Sequence, residues 1–207
     1  MKKLSTSDYD REALQRLVRS VTFFKDIVKL DQDQFELLLS VCEFVEASAG
    51  ETVLRKGDDA HTLYFLLRGQ MTVLSEGDQS LNIINPGEVF GTLSMVTGRP
   101  RSATVKAESD VILLVMDYKY FQEINDFSMF SVDTKLVAYR MVVHNIRWTL
   151  EMNKMKSPSH PLVARLLKMP VYTGARGGED ELAALSKQSR DLADLLCEWN
   201  DSVELAD

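Results

Sequence analysis

The feature that most constrains the fold is a series of short, β-favouring segments separated by glycine between residues 46 and 117. Seven of the chain's 10 glycines lie here, namely Gly50, Gly57, Gly69, Gly77, Gly87, Gly91 and Gly98. The segments between them have the length of strands and cover Thr52 to Arg55, Thr62 to Leu67, Met71 to Ser75, Leu81 to Ile84, Ala103 to Lys106 and Val111 to Met116. Many short strands joined by tight turns are typical of a jelly roll or barrel. The pattern therefore predicts a mainly β fold of one of these two kinds, a jelly roll or a barrel.

The stretch from Phe90 to Val105 has the composition of an anion-binding turn. Gly91 precedes a short apolar helical turn, whose first backbone N–H groups lack intrahelical acceptors and can donate to an anion. Arg101 follows where the chain returns to an extended run, so its guanidinium can contact the same anion with two N–H groups. These residues predict a site for one phosphate group.

This stretch resembles the phosphate-binding cassette of the cyclic nucleotide-binding domain family, which includes kinase regulatory subunits, cyclic nucleotide-gated channels and catabolite activator proteins. The family's usual form is Phe-Gly-Glu-Leu-Ala-Leu, a short spacer and Arg-x-Ala-Thr-Val. The corresponding residues here are Phe90-Gly91-Thr92-Leu93-Ser94-Met95 and Arg101-Ser102-Ala103-Thr104-Val105. The resemblance extends to residues 23–27, 49–53, 55–58 and 64–69. It implies a mainly β fold with flanking helices, built around the double-stranded β-helix jelly roll of that family.

Thr92 is the departure from the motif, because the family has a glutamate there that binds the ribose 2′-hydroxyl. A carboxylate-to-hydroxyl bond is worth roughly 1.5–3 kcal/mol and a neutral one about 0.5–1.5 kcal/mol, so this exchange weakens binding by roughly tenfold. Two hypotheses follow. Either the chain is a sensor that binds a cyclic nucleotide, or it is a ligand-free, dimeric interaction or scaffold protein.

The resemblance also implies a set of ligand-binding residues. They are Gly91, Thr92, Leu93, Ser94, Arg101, Ser102 and Ala103, with an apolar wall of Leu81, Ile83 and Val89. The family uses a hydroxyl at the position of Ser102 to contact the phosphate or to favour guanine over adenine. We expect cAMP as the ligand, and the sequence leaves cGMP, a cyclic dinucleotide or no ligand as alternatives.

A heptad pattern follows the β-rich segment, with apolar residues at alternating spacings of four and three. They are Val132, Leu136, Tyr139, Val143, Ile146 and Leu150, which we call the heptad seam. Such a seam is typical of a coiled coil, and in the activator protein branch of the family the corresponding helix pairs two subunits and covers the ligand. We therefore expect a parallel homodimer; the alternative is that the seam packs on the chain's own barrel.

Residues 157–207 do not have the composition of a DNA-binding domain. They hold 9 acidic and 5 basic residues, and the whole chain has a formal charge of −7. Because binding to phosphate backbones depends on basic surfaces, we expect no DNA partner. A final amphipathic helix is predicted from Glu179, with Leu182, Leu185, Leu192, Leu196, Trp199 and Val203 on one side. It either packs within the chain or binds an unidentified protein partner.

The sequence gives little support to catalysis, metal binding or a membrane location. His61, His144 and His160 have no nucleophile or paired carboxylate at a suggestive spacing. The distant Cys42 and Cys197 fit neither a disulfide framework nor a metal site. No apolar run is long enough to span a bilayer and no secretory signal is recognisable, so we expect a cytoplasmic, non-enzymatic protein.

These expectations divide the chain into four parts. Residues 1–44 are N-terminal helices, 45–125 the cyclic nucleotide-binding barrel, 126–156 the lid and dimerisation helix, and 157–207 an acidic helical tail. The predicted function is a sensor that relays the state of its ligand to a protein partner through the dimerisation helix and tail.

Overall fold

The computed structural model describes residues 1–4, 11–75 and 77–204. The chain forms two compact units, residues 1–120 and 121–207, and each is described by itself.

The first unit begins with a short strand and three helices. These are β1 (Lys2–Lys3), α1 (Arg11–Ser20), α2 (Thr22–Leu30) and α3 (Gln32–Ser40). Asp31 starts α3 as its N-cap, because its carboxylate accepts hydrogen bonds from the backbone N–H groups of Asp33 at 2.8 Å and Gln34 at 3.1 Å.

The remainder of this unit consists of two antiparallel sheets and one short helix. The elements are β2 (Cys42–Ala47), β3 (Thr52–Leu54), β4 (Thr62–Arg68), β5 (Met71–Leu74), β6 (Ser80–Ile84), β7 (Val89–Phe90), α4 (Thr92–Thr97), β8 (Thr104–Ala107) and β9 (Val111–Asp117). The five-stranded sheet has the order β1-β2-β9-β4-β7, and the four-stranded sheet has the order β3-β8-β5-β6. The predicted jelly roll with flanking helices is confirmed.

A buried apolar core combines the inward faces of both sheets. The five-stranded sheet contributes Tyr64, Leu66, Phe90 and Leu113, and the four-stranded sheet contributes Met71, Ile84, Val105 and Ala107. Because successive side chains of a strand point to opposite faces, Phe65 lies on the other side of the five-stranded sheet. There its ring stacks on Phe23 at 5.3 Å and meets Phe24 edge-on at 4.8 Å. The helix α2 therefore covers the outer face of that sheet.

The second unit is helical. The short helix α5 (Lys119–Gln122) runs across the boundary between the units and is followed by α6 (Val132–Lys156), α7 (Val163–Leu167) and α8 (Gly178–Glu204). Ser131 caps α6 by accepting a hydrogen bond from the Thr134 N–H at 3.2 Å. The helix ends at Lys156, next to the proline-rich break that the sequence predicts as its end. None of the described helices has both the length and the apolar character needed to cross a bilayer.

The heptad seam of α6 lies against α8 of the same chain. Leu136 and Tyr139 form a buried cluster with Leu182 and Leu185, and Val132 and Val143 pack at its margin. Ile146 and Leu150 are buried as well. The expectation that a second copy covers this seam is corrected, since the apolar side of α8 already occupies it. A homodimer stays a prediction.

The predicted amphipathic side of the last helix is buried. Leu182, Leu185, Leu192, Leu196 and Trp199 are each 6% exposed or less, whereas the side chain of Val203 lies outside the description. The sequence leaves open whether this helix packs within the chain or binds a protein partner. In the structure, its apolar side packs within the chain.

Candidate anion-binding site

The site is built from the turn between β7 and α4 and from the segment that leads into β8. Gly91 is the N-cap residue of α4 and has a left-handed backbone conformation, with φ of 85°. Such a conformation suits glycine, because a β-carbon would be strained there. Inside α4, Thr92 and Ser94 are buried, at 4% and 3% exposure. The predicted helical turn therefore exists and begins where the sequence places it.

The backbone of Arg101 is fixed on both sides by the loop after β3. Its N–H donates to the carbonyl of Asp58 at 2.9 Å, and its carbonyl accepts from the N–H of Gly57 at 2.9 Å. These two bonds direct the side chain inward, where Arg101 is 5% exposed.

The guanidinium group of Arg101 is held by neutral oxygen atoms. Nη2 donates to the carbonyl of Thr62 at 2.7 Å and to the hydroxyl of Thr62 at 3.2 Å, and Nη1 donates to the carbonyl of Gly91 at 3.3 Å. Nε is buried and has no hydrogen-bond partner among the described residues. The group also lies over the ring of Tyr64, with Cζ 5.6 Å from the ring centroid, and Tyr64 in turn stacks on Phe90.

Within the described part of the chain, no carboxylate forms an ion pair with Arg101. Burial lowers the pKa of this guanidinium. Electrostatic interactions with Tyr64, Tyr118 and Asp58 act in the opposite direction and raise it. An arginine nevertheless stays protonated in proteins, so the site contains a buried positive charge. A buried charge is costly unless an opposite charge and complete hydrogen bonding compensate it. The geometry therefore fits an anion that offers oxygen atoms to Nε.

The structure brings some of the predicted ligand-binding residues together and leaves others apart. Gly91 and Arg101 are in direct contact, and the hydroxyl of Ser94 donates to the Pro100 carbonyl at 3.4 Å. Leu93 and Ala103 are half-buried, while Ser102 is exposed to solvent. Their roles toward a ligand stay predictions.

Leu81 and Ile83 do not line the interior of the barrel, which corrects the predicted apolar wall. They are 45% and 48% exposed. Ile83 pairs with Thr72 of β5, whereas its neighbour Ile84 pairs with Met71 and belongs to the core. Residues paired across two strands share a face, so Leu81 and Ile83 lie on the outer face of the four-stranded sheet.

Val89 also does not line the interior of the barrel, because its side chain lies on the face of its strand opposite to the core. It pairs with Phe65, on the face of the five-stranded sheet that α2 covers, and Phe90 is the residue that points into the core. Because side chains alternate along a strand, a displacement by one residue exchanges the two faces. The inward residues are therefore Ile84 and Phe90.

Thr62 and Tyr64 contact Arg101, although no sequence pattern predicts a role for them. Both lie on β4 two residues apart, on the face that also carries the core residue Leu66. Period-two alternation along residues 62–66 indicates this shared face, but the proximity of β4 to Arg101 arises only from the pairing of distant strands.

The described residues contain no cluster of three or more histidine, cysteine or acidic residues placed to hold a metal ion. Burial raises the pKa of the Cys42 thiol to about 12, so this cysteine stays protonated at neutral pH.

Comparison with known proteins supports the resemblance that the sequence predicts. Residues 44–126 match the family model of the Cyclic nucleotide-binding domain, which confirms the predicted resemblance over that segment. A cAMP-dependent protein kinase type II regulatory subunit of Drosophila melanogaster is 30% identical over 118 residues, covering 57% of this chain and 30% of the relative. A cAMP-dependent protein kinase regulatory subunit of Eremothecium gossypii is 30% identical over 96 residues, covering 46% of this chain and 21% of the relative. The chain thus spans less than a third of the length of either relative.

Solved structures share the fold at lower sequence identity. A cyclic nucleotide-binding domain from Methylobacillus flagellatus has a TM-score of 0.55 at 18% identity, over 69% of this chain and 88% of that one. The sensor domain of the transcriptional regulator DNR from Pseudomonas aeruginosa has a TM-score of 0.50 at 23% identity, over 63% of this chain and 91% of that one. The fold is that of the cyclic nucleotide-binding jelly roll.

Proposed function

We propose that this chain is a non-enzymatic sensor whose barrel binds a cyclic nucleotide, with cAMP as the expected ligand. The observation that carries the proposal is the buried guanidinium of Arg101, which has neutral acceptors and an unpartnered Nε among the described residues. Support also comes from the relatives, two of which are named as regulatory subunits of cAMP-dependent protein kinases.

The cyclic phosphodiester is suited to this arrangement, because it carries one negative charge and two exocyclic oxygen atoms. One oxygen accepts from Nε of Arg101, while the backbone N–H groups at the start of α4 lie beside Gly91 and add further donors. Thr92 offers a neutral hydroxyl to the ribose, which makes the complex weaker than one with a carboxylate at this position.

Signalling from the site is a population shift between arrangements of the helices in residues 121–207. The strength of such a signal equals the difference in free energy with which the ligand binds the two arrangements. We assign the output to a protein partner rather than to DNA, because residues 157–207 carry more acidic than basic side chains.

One observation favours a second candidate, a ligand-free interaction protein. The Nη groups of Arg101 already bind Thr62 and Gly91, so the side chain joins β4 to the start of α4 without any ligand. In this alternative, Arg101 is a structural residue and the barrel is a scaffold.

Isothermal titration calorimetry with cAMP and with cGMP separates the two candidates. The sensor predicts binding by the wild type, tighter binding by Thr92→Glu and loss of binding by Arg101→Ala. Arg99→Ala is the matched control, because Arg99 carries the same charge two residues away and is exposed. Circular dichroism verifies that each variant is folded. The absence of heat from wild type and Thr92→Glu at millimolar ligand favours the scaffold.

A further inference from the structure

We propose that Thr62 is a positioning residue of the anion site, which determines the edge of the Arg101 guanidinium that is presented to the ligand. This inference rests on the proposed function and adds to it a residue on β4, outside the segment from Phe90 to Val105.

Thr62 binds one nitrogen atom of Arg101 with two acceptors. Its carbonyl lies 2.7 Å and its hydroxyl 3.2 Å from Nη2. Thr62 is the first residue of β4, and it pairs with Asp117 of β9. The carbonyl therefore belongs to a paired strand and has a fixed direction, which the hydroxyl reinforces.

The remaining contact of the guanidinium defines its free edge. Nη1 donates to the Gly91 carbonyl at 3.3 Å, so both terminal nitrogens point toward protein oxygens. A guanidinium is planar, and fixing two of its nitrogens fixes the third. Nε is the nitrogen of this guanidinium that has no partner in the described part of the chain, and its edge is the one that an anion meets.

The choice of residue at position 62 makes the inference testable. Thr62→Val preserves the shape and the strand propensity but removes the hydroxyl, and Thr62→Ser preserves the hydroxyl. Loss of the hydrogen bond from the charged guanidinium to this hydroxyl loosens the guanidinium. Because the shorter bond to the Thr62 carbonyl remains, we expect the affinity for cAMP to fall by only about two- to tenfold. Thr72→Val is the matched control, because Thr72 is also a strand threonine, and the described hydrogen bonds of the Arg101 guanidinium go to Thr62 and Gly91 instead.

Side-chain NMR of ¹⁵N-labelled protein tests directly whether Thr62 restricts the motion of the Arg101 guanidinium, and it needs no ligand. In the wild type, Thr62→Ser and Thr72→Val, we expect slow rotation of the Arg101 Nη groups and a slowly exchanging Nε–H. In Thr62→Val, both processes become faster. Unchanged rates in Thr62→Val overturn the proposal.

Calorimetric titration with cAMP then tests the consequence for binding. We expect weaker binding only in Thr62→Val, and equal affinities of Thr62→Val and wild type contradict the inference. If the wild type itself gives no heat with cAMP, the proposed function fails, and with it the role of Thr62 toward an anion. The NMR comparison then still decides whether Thr62 holds the guanidinium.

Discussion

Gly91 and Arg101 lie so close together that a β-carbon on Gly91 would be 2.6 Å from Nη1 of Arg101. Gly91 also has φ of +85° and accepts a hydrogen bond from the same nitrogen through its carbonyl. The two residues are ten positions apart in the sequence, at opposite ends of the helical turn and loop. Their contact joins the start of α4 to the segment before β8, and it makes glycine at position 91 a condition for the position of the guanidinium.

The Gly91→Ala variant is therefore expected to displace Arg101. The left-handed backbone costs a non-glycine residue about 1–2 kcal/mol, and the new methyl group pushes the guanidinium away from Gly91. We expect a corresponding loss of stability in urea unfolding and a loss of cAMP affinity of about tenfold or more.

Gly87→Ala is the control for the backbone part of this effect. Gly87 has φ of +92°, and a β-carbon there would meet nothing within 4 Å. This variant is expected to lose similar stability but to bind cAMP as the wild type does. Equal affinities of Gly91→Ala and Gly87→Ala would mean that the position of Arg101 does not matter for binding.

Substitution in the heptad seam is expected to destabilise the helical unit rather than to dissociate a dimer. Leu136 is 2% exposed and packs with Tyr139, Leu182 and Leu185. Leu136→Ala leaves a cavity, so we expect a loss of about 2–5 kcal/mol in the free energy of unfolding. Trp148→Ala, at a site on α6 that is 56% exposed, is expected to change it by less than about 0.5 kcal/mol.

Analytical ultracentrifugation completes this prediction. We expect the association state of Leu136→Ala to equal that of the wild type as long as the variant is folded. A variant that is as stable as the wild type, and that changes only from dimer to monomer, contradicts the packing of α8 on the seam.

The outer position of Ile83 predicts that this residue does not contribute to ligand binding. Ile83→Thr replaces a 48% exposed side chain on the outer face of β6, so we expect cAMP affinity and stability close to those of the wild type. Ile84→Ala, one residue further and 4% exposed, is expected to cost about 2–5 kcal/mol of stability. A selective loss of cAMP affinity in Ile83→Thr would restore the wall that the sequence predicts.

The pair Glu181–Arg140 predicts how the stability of the helical unit depends on pH. Glu181 is 5% exposed, and its carboxylate accepts from Arg140 Nε at 2.9 Å, from Arg140 Nη2 at 2.7 Å and from the Gly177 N–H at 2.5 Å. Burial by itself would raise the pKa of Glu181, but the hydrogen bonds from Gly177 and Arg140 outweigh it and lower the pKa below its ordinary value of 4.5.

Because the folded state has the lower pKa, the charged form of Glu181 stabilises the fold above pH 4.5, and this contribution disappears as the pH falls through the lowered value. At neutral pH we expect Glu181→Gln to lose about 1–3 kcal/mol. The difference in unfolding free energy between Glu181→Gln and the wild type should shrink as the pH falls below 4.5, as measured by urea unfolding between neutral and acidic pH. Glu179→Gln, on the exposed start of α8, is the control. Parallel pH profiles of wild type and Glu181→Gln would contradict the assignment.

Glycine spacing and strand-length segments are sufficient to predict a jelly roll or a barrel, because tight turns between short strands depend on local sequence. The family resemblance of the stretch from Phe90 to Val105 then selects the jelly roll. The helical turn after Gly91 was also predictable, as it follows from residues close in the chain. Local patterns do not determine register, however. Ile83 and Ile84 have similar side chains, and only the pairing of Ile84 with Met71 shows which of them points inward.

Contacts between segments that are distant in the sequence are the second feature that local patterns do not determine. The heptad seam predicts an apolar partner for α6 but not its identity, and α8 is similarly apolar. The acceptors of Arg101 illustrate the same limit, because Thr62 lies 39 residues away and meets the guanidinium only through the fold.

The most direct test of the account is a crystal structure of the chain grown with cAMP above its dissociation constant. We predict the nucleotide inside the jelly roll, with a phosphate oxygen at about 3 Å from Nε of Arg101. A nucleotide bound elsewhere, or a barrel in which Nε of Arg101 still faces only protein, contradicts the central claim.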